Sequence, residues 1–368
     1  MYHKFNYRWT LKDAAFTKDK GKVFSCFACG GGSTMGYKLA GFDVIGCNEI
    51  DHRMMYAYCQ NHNPKFPFLE PIQEFKKKSD LPPELFNLDI LDGSPPCSSF
   101  SMAGVGSGGR ENGWGKKKKF REGQAEQVLD TLFFDFIDLA ERLQPKVVVA
   151  ENVKGLLLGE AKDYVSRIYR GFDKAGYYVQ HYLLDAQYMG VPQRRERVFF
   201  VCLRKDLVQL VPCQQTLFDA IPVLDMNFKE TPIMFSECYD GKGREVGSKV
   251  FRERWEQRQY GDTDMGCVAM RTKGKNTSFN NRFVYSDMVC NTLTGKEDSN
   301  ILFDEPRYLS QGEECSVATF PQDYDFAGNK PHYICGMSVP PVMMAQVASR
   351  IYEQWLSRIN KQLTLKSQ

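Results

Sequence analysis

Apolar and polar positions along this chain follow two periods in alternation. Residues 145–150, PKVVVA, form a near-continuous apolar run of the kind that is buried on both faces of a parallel sheet. Just upstream, Leu129, Leu132, Phe133, Phe136, Ile137 and Ala140 recur at helical spacing and predict a core-facing helix over 127–143. The same reading places a strand at 23–27, a helix at 34–40, a strand at 43–47, a short strand and turn around 69–72, and a strand at 89–92. Past the central run it places a helix at 162–175, a strand at 178–184 and a helix within 340–366. Strands alternating with helices predict an open α/β sheet, whose chemistry gathers at the carboxyl ends of the strands. Residues 1–22 are polar and basic with isolated aromatics, Tyr7, Trp9 and Phe16, and read as a short extension laid against the domain.

Composition bounds the class. The 368 residues are 42% hydrophobic and 25% charged, ordinary for a soluble globular protein with one large domain and a smaller one. The net charge of +3 is too small to announce nucleic acid, so a DNA-binding surface has to come from local clusters of Lys and Arg. The 12 cysteines lack regular spacing. With no signal-peptide pattern and no apolar run near the ~18 residues of a membrane span, they predict free thiols in a reducing cytosol and no membrane partner.

Candidate chemistry concentrates in residues 89–101, DILDGSPPCSSFS. A short strand is broken by Gly93-Ser94-Pro95-Pro96, which delivers Cys97 to the strand's carboxyl end. The two prolines stiffen the turn and hold the thiol at one point, as a nucleophile requires; a proline-rich turn with an incidental buried cysteine fits the same residues. Earlier, Cys29-Gly30-Gly31-Gly32-Ser33 lies between strand and helix, where backbone can approach a nucleotide-like cofactor at a helix N-terminus. Glu49 follows about twenty positions later, the spacing of a carboxylate that accepts from ribose hydroxyls. Cys26 and Cys29 form a CxxC, but no second pair and no clustered histidine completes a metal site. After Cys97, residues 102–124 are glycine-rich and carry Lys116 to Lys119 between Arg110 and Arg121. They read equally as a solvated face and as a basic loop closing over a polyanion. Glu151 and Asn152 stand at the end of the central strand. Gln193, Arg195 and Arg197 alternate in GVPQRRERVFFV, so an extended backbone puts them on one face.

Taken in order, FACGGGSTMGYKLAGF, NEID, GSPPCSSFS, ENVKGLL, GVPQRRERVFFV, RYLS with ATFPQDY, and GMSVPP resemble the DNA (cytosine-5)-methyltransferases of bacterial restriction-modification systems. The resemblance covers roughly 23–201 and 290–350. It implies an α/β, Rossmann-like S-adenosylmethionine-dependent domain with a smaller inserted target-recognition domain. The segments are an extension at 1–22, a catalytic part at 23–203, a recognition region at 204–300 and a return to the catalytic domain at 301–368. It also implies that Cys97 adds to carbon 6 of a flipped-out cytosine, that Glu151 binds N3 and the exocyclic amine, and that Asn152 holds the loop. Arg195 and Arg197 would position the base and a nearby phosphate, Arg197 being the better candidate for the cytosine carbonyl. Cofactor surroundings fall on Phe27, Cys29, Gly30, Gly31, Gly32, Glu49, Ile50, Ile72, Pro95, Leu132 and Ser338, and substrate contacts on Ser99, Gln193, Thr292 and Leu293.

Three positions depart from the family pattern: Cys29 where a glycine is common, Pro71 where an acidic contact to the adenine amine is expected, and Met337 in place of an asparagine before Ser338. The implied partner is double-stranded DNA, with a cognate restriction endonuclease acting separately, for a monomer in the bacterial cytoplasm. A tRNA cytosine methyltransferase of the same family is the enzymatic rival, and a silent DNA-binding relative and a Rossmann dehydrogenase are the others. The dehydrogenase leaves PPC and ENV unexplained.

Overall fold

The computed structural model describes residues 3–96, 131–158, 162–215, 220–275 and 281–366. Cys97, Ser99, the glycine-rich basic stretch 102–124 and the first residues of the expected 127–143 helix lie outside the described residues. Contacts divide the chain into two compact units. The first comprises Ala15–Leu184, Glu196–Asn227 and Met344–Gln368, and the second Met1–Ala14, Asp185–Arg195 and Phe228–Met343.

A seven-stranded sheet organises the first unit. Its strands are β1 (Lys22–Cys26), β2 (Asp43–Glu49), β3 (Phe66–Leu69), β4 (Ile90–Gly93), β5 (Val147–Val153), β6 (Tyr177–Asp185) and β7 (Glu196–Arg204), in the order β3-β2-β1-β4-β5-β7-β6. The pairs from β3 through β5 are parallel, and β7 is antiparallel to β5. Helices α1 (Gly32–Leu39), α2 (His52–His62), the single turn α3 (Ile72–Phe75), α4 (Leu132–Leu143) and α5 (Lys162–Lys174) connect them. This is the α/β, Rossmann-like arrangement expected of a methyltransferase domain.

Packing explains the local choices. α4 presents Leu132, Phe133, Phe136, Ile137, Leu139, Ala140 and Leu143 as one buried stripe, and Gln144 ends it in the left-handed region (φ 50°). Phe133 meets Phe200 of β7 edge-on at 5.6 Å. Gly93 allows β4 to pass under α4, because a Cβ there would lie 2.6 Å from the Phe136 ring. Later segments complete the unit. A two-stranded ribbon, β8 (Cys213–Gln215) with β9 (Ala220–Pro222), leads to Val223, whose carbonyl accepts from Trp355 Nε1 at 2.9 Å. Lys146 Nζ donates to Asp89 at 2.7 Å and to Asn360 at 2.6 Å, fastening the C-terminal helix to the sheet as expected for the last segment.

The second unit contains α6 (Lys249–Glu256), α7 (Met265–Lys273), the parallel pair β10 (Arg282–Val284) and β11 (Asn300–Leu302), α8 (Gln311–Ala318) and α9 (Pro331–Met337). Phe251, Trp255, Met265, Phe283, Tyr285 and Ile301 form its core. This unit differs from the 204–300 segment drawn from the sequence. Residues 204–227 stay with the sheet, while 301–343 and the N-terminal residues join the second unit. Specific bonds account for it. Arg307, nearly buried, makes two 2.9 Å bonds to fully buried Glu313. Trp255 Nε1 donates to Leu302 O at 2.8 Å, Trp9 Nε1 to Thr319 O at 2.9 Å, and Arg8 to Cys238 O at 2.8 Å.

Candidate active site

The turn after β1 runs through alternating left-handed backbone: Phe27 (φ 54°), Cys29 (φ 47°) and Gly31 (φ 80°). Non-glycine residues in this region store strain and concentrate at ligand sites. Gly31 is also the N-cap of α1, and no side chain there caps the helix's first amides. A Cβ at Gly31 would lie 2.3 Å from Nε2 of buried His62, so this position admits only glycine.

Glu49 ends β2 against this turn. Its carboxylate accepts from the amides of Cys29, Ile50 and Asp51, each at 2.8 Å. Burial raises the Glu49 carboxyl above its ordinary range, and these amides oppose the shift. The amides orient the group, and a carboxylate has further lone pairs for ribose hydroxyls. Cys29 supplies its backbone where a glycine was expected, by adopting the left-handed conformation. Ile72 opens α3 in the core and Pro71 is its N-cap; Leu132 opens α4, also buried; Ile50 is half-buried. Phe27 packs on Phe136 with ring centres 6.3 Å apart.

Glu151, Asn152 and Arg197 are carried by β5 and β7. The expected strand stopped at 150, with Glu151 and Asn152 beyond it, whereas β5 continues to Val153. Antiparallel pairing to β7 carries it on: Glu151 faces Phe199, Asn152 faces Val198 and Val153 faces Arg197. Glu151 and Arg197 are thereby diagonal neighbours on one face, and Arg197 Nε lies 3.0 Å from Glu151 Oε1 with both side chains largely buried. Burial pulls the Arg197 guanidinium down and Glu151 counteracts it. Asn152 turns the other way. Its Nδ2 donates to Pro95 O at 3.0 Å, and its Oδ1 accepts from Val153 N at 2.9 Å, which clamps the turn two residues before Cys97.

Arg195 and Gln193 belong to the second unit, and the expected single face of Gln193, Arg195 and Arg197 is not formed. β7 begins only at Glu196, and Arg194 N instead donates to Cys290 O at 2.9 Å. Arg195 is enclosed and donates to the carbonyls of Leu293 (3.1 Å), Gly336 (3.0 Å) and Ser338 (3.0 Å). Gln193 Oε1 accepts from Leu293 N at 3.1 Å, and Nε2 donates to Val317 O at 3.3 Å. Thr292 Oγ1 donates to Arg194 O. Ser338 follows α9, and its buried Oγ has no hydrogen-bond partner among the described residues.

A family model described as C-5 cytosine-specific DNA methylase matches residues 21–353. The chain belongs to this family. Among C-5 cytosine-specific DNA methylases it is 38% identical over 186 residues to the Type II methyltransferase M.FnuDI of Fusobacterium nucleatum, covering 50% of this chain and 48% of that protein. It is 29% identical over 352 residues to M.Sau96I of Staphylococcus aureus, covering 92% and 77%. The chain thus spans about half the length of the relative matched at higher identity. Among solved structures, Spodoptera frugiperda DNMT2 superposes with a TM-score of 0.59 at 16% identity, over 90% of this chain and 99% of that one, a likeness of fold.

One acidic group escaped the sequence reading. Asp92, in the strand before the proline turn, is buried and bonded to Ser25 and Tyr37. A charged residue inside an otherwise apolar strand was its available signal. His62, under Gly31, had no signal beyond its place in an amphipathic helix.

Proposed function

We propose that this chain methylates carbon 5 of a cytosine in a specific duplex DNA sequence, as the modification enzyme of a restriction-modification system in the bacterial cytoplasm. The observation that carries the reading is the buried Glu151–Arg197 pair on β5 and β7, beside Asn152 clamping the turn that leads to Cys97.

Carbon 5 of cytosine is a weak nucleophile, and covalent addition is the remedy. The Cys97 thiolate adds to carbon 6, and the carbon 5–carbon 6 π pair becomes available at carbon 5. Glu151 holds N3 and the exocyclic amine, favouring the proton on N3 that neutralises the developing charge. Arg197 keeps Glu151 in place and directs a second N–H to the base carbonyl. After methylation, loss of the carbon 5 proton returns the electron pair to the ring and expels the thiolate. The cytosine has to leave the stack first, at a cost of a few kcal/mol that phosphate and site contacts offset. The basic stretch at Lys116–Lys119 and the Arg and Lys residues of 228–300 are the proposed phosphate contacts.

S-adenosylmethionine, when bound, supplies an electrophilic methyl group. The chain's fit to it rests on the strained, uncapped turn Phe27–Gly32 and on Glu49 held by backbone amides. Arg195 and Gln193 act at one remove, by holding the backbone around Leu293 and Ser338.

Bisulfite sequencing of plasmid DNA from cells expressing the chain, beside Cys97→Ala, tests the proposal. Protected cytosines at one short recurring sequence, lost in the alanine variant, are expected. Unprotected DNA from a folded wild-type chain would reject it, and methyl transfer to tRNA would then identify the substrate.

A further inference from the structure

Asp92 is a buried titratable group for which the proposed chemistry has no use. It lies on β4, five positions before Cys97, with its side chain only 1% exposed. Ser25 of β1 donates its hydroxyl to the carboxylate at 2.8 Å, and Tyr37 of α1 donates at 3.2 Å. Ser33, in the first turn of α1, adds a third hydroxyl. The carboxyl therefore joins the strand that enters the glycine turn, the helix that leaves it, and the strand that runs toward Cys97. An apolar side chain would sit in such a sheet interior without electrostatic cost, so this acid is retained against a penalty.

We propose that Asp92 is a positioning residue for the cofactor, its carboxyl fastening β1 and α1 to β4 and so fixing the turn Phe27–Gly32 between them. The inference rests on the reading that this turn holds S-adenosylmethionine. Among the described residues the titratable neighbours are Cys26 of β1, Tyr37 of α1, Tyr58 of α2 and Glu151 of β5, and none of these is a cation. Burial, with Glu151 adding repulsion and the hydroxyls opposing, pushes the Asp92 carboxyl up to about 7. Its charge therefore changes near neutrality. The ionised carboxylate accepts from every hydroxyl around it, while the protonated acid must donate one bond and turn a hydroxyl around. The fastening is complete above pH 7 and loosens below it.

The test measures binding of S-adenosylhomocysteine to the full chain by calorimetry at pH 6 and pH 8, for wild type, Asp92→Asn and Tyr37→Phe. Asp92→Asn binds within about twofold of wild type at pH 6 and about fivefold more weakly at pH 8, the scale of one hydrogen bond. Tyr37→Phe, which leaves the acid in place, shows a smaller gain in affinity from pH 6 to pH 8 than wild type. Thermal melts check the titration itself. A carboxyl raised in the folded state favours folding below its unfolded value and loses that contribution as pH rises through about 7. The wild-type melting temperature should fall over this interval relative to that of Asp92→Asn. An affinity ratio between wild type and Asp92→Asn that is the same at both pH values, or an unchanged pH response in Tyr37→Phe, overturns the inference alone. A folded wild type that binds no S-adenosylhomocysteine overturns the cofactor reading and this inference with it.

Discussion

Arg195 and Arg197 stand two positions apart in QRRER, yet they are buried against different partners. Arg197 belongs to the sheet and lies against the Glu151 carboxylate, a group that also has lone pairs for a substrate. Arg195 belongs to the second unit and spends its donors on the carbonyls of Leu293, Gly336 and Ser338. Both guanidiniums are withdrawn from water and both need compensation. In one case a side-chain carboxylate supplies it, and in the other fixed backbone dipoles do. A charge balanced by a side chain can be shared with a ligand, whereas one balanced by three carbonyls is committed to holding backbone. The same residue type in one motif is thus balanced by a side-chain charge at one position and by backbone carbonyls at the other.

The largest expected effect separates the two roles. Glu151→Gln removes the group proposed to bind N3 and lowers the methyl-transfer rate by about a thousandfold, within the range of acid–base catalysis. Cofactor affinity, read by calorimetry with S-adenosylhomocysteine, stays within about threefold of wild type, because Glu49 and the glycine turn are untouched. A rate loss matched by an equal affinity loss would break the contrast. Arg195→Met should act through stability, leaving three buried carbonyls without their donor at a cost of about 3 kcal/mol, read as a lower denaturation midpoint. If Arg195→Met were as stable as wild type yet inactive, Arg195 would have to be moved to the chemical side. The smallest effect is that of Arg197→Lys, which keeps the charge and loses the fork. Activity falls about tenfold with stability changed by less than ~1 kcal/mol, measured by rate and melting together.

Much of the sheet was legible because its signals are local. The β-branched run of β5, the helical stripe of α4 and the glycine break after β1 each report on their own segment. Boundaries were less legible where a partner decides them. β5 extends past Ala150 only because β7 comes back beside it. The alternation of Gln193, Arg195 and Arg197 suggested one extended face, but the strand begins only at Glu196. It could not show that the chain passes from one compact unit to the other between Arg195 and Glu196. Asp92 was read as one more strand residue, since its meaning depends on Ser25 and Tyr37 arriving from elsewhere.

Residue order alone determined the alternation of strands and helices, the glycine–proline break that ends β4, and the carboxylate placed after the glycine turn, because each depends on backbone preferences and periodicity within a few residues. Tertiary structure alone decided which buried charge faces which partner: Arg197 on Glu151, Arg195 on carbonyls, Glu49 on amides and Asp92 on hydroxyls. The physical reason is that a buried polar group's properties are set by whatever replaces its water, and those replacements come from segments distant in sequence.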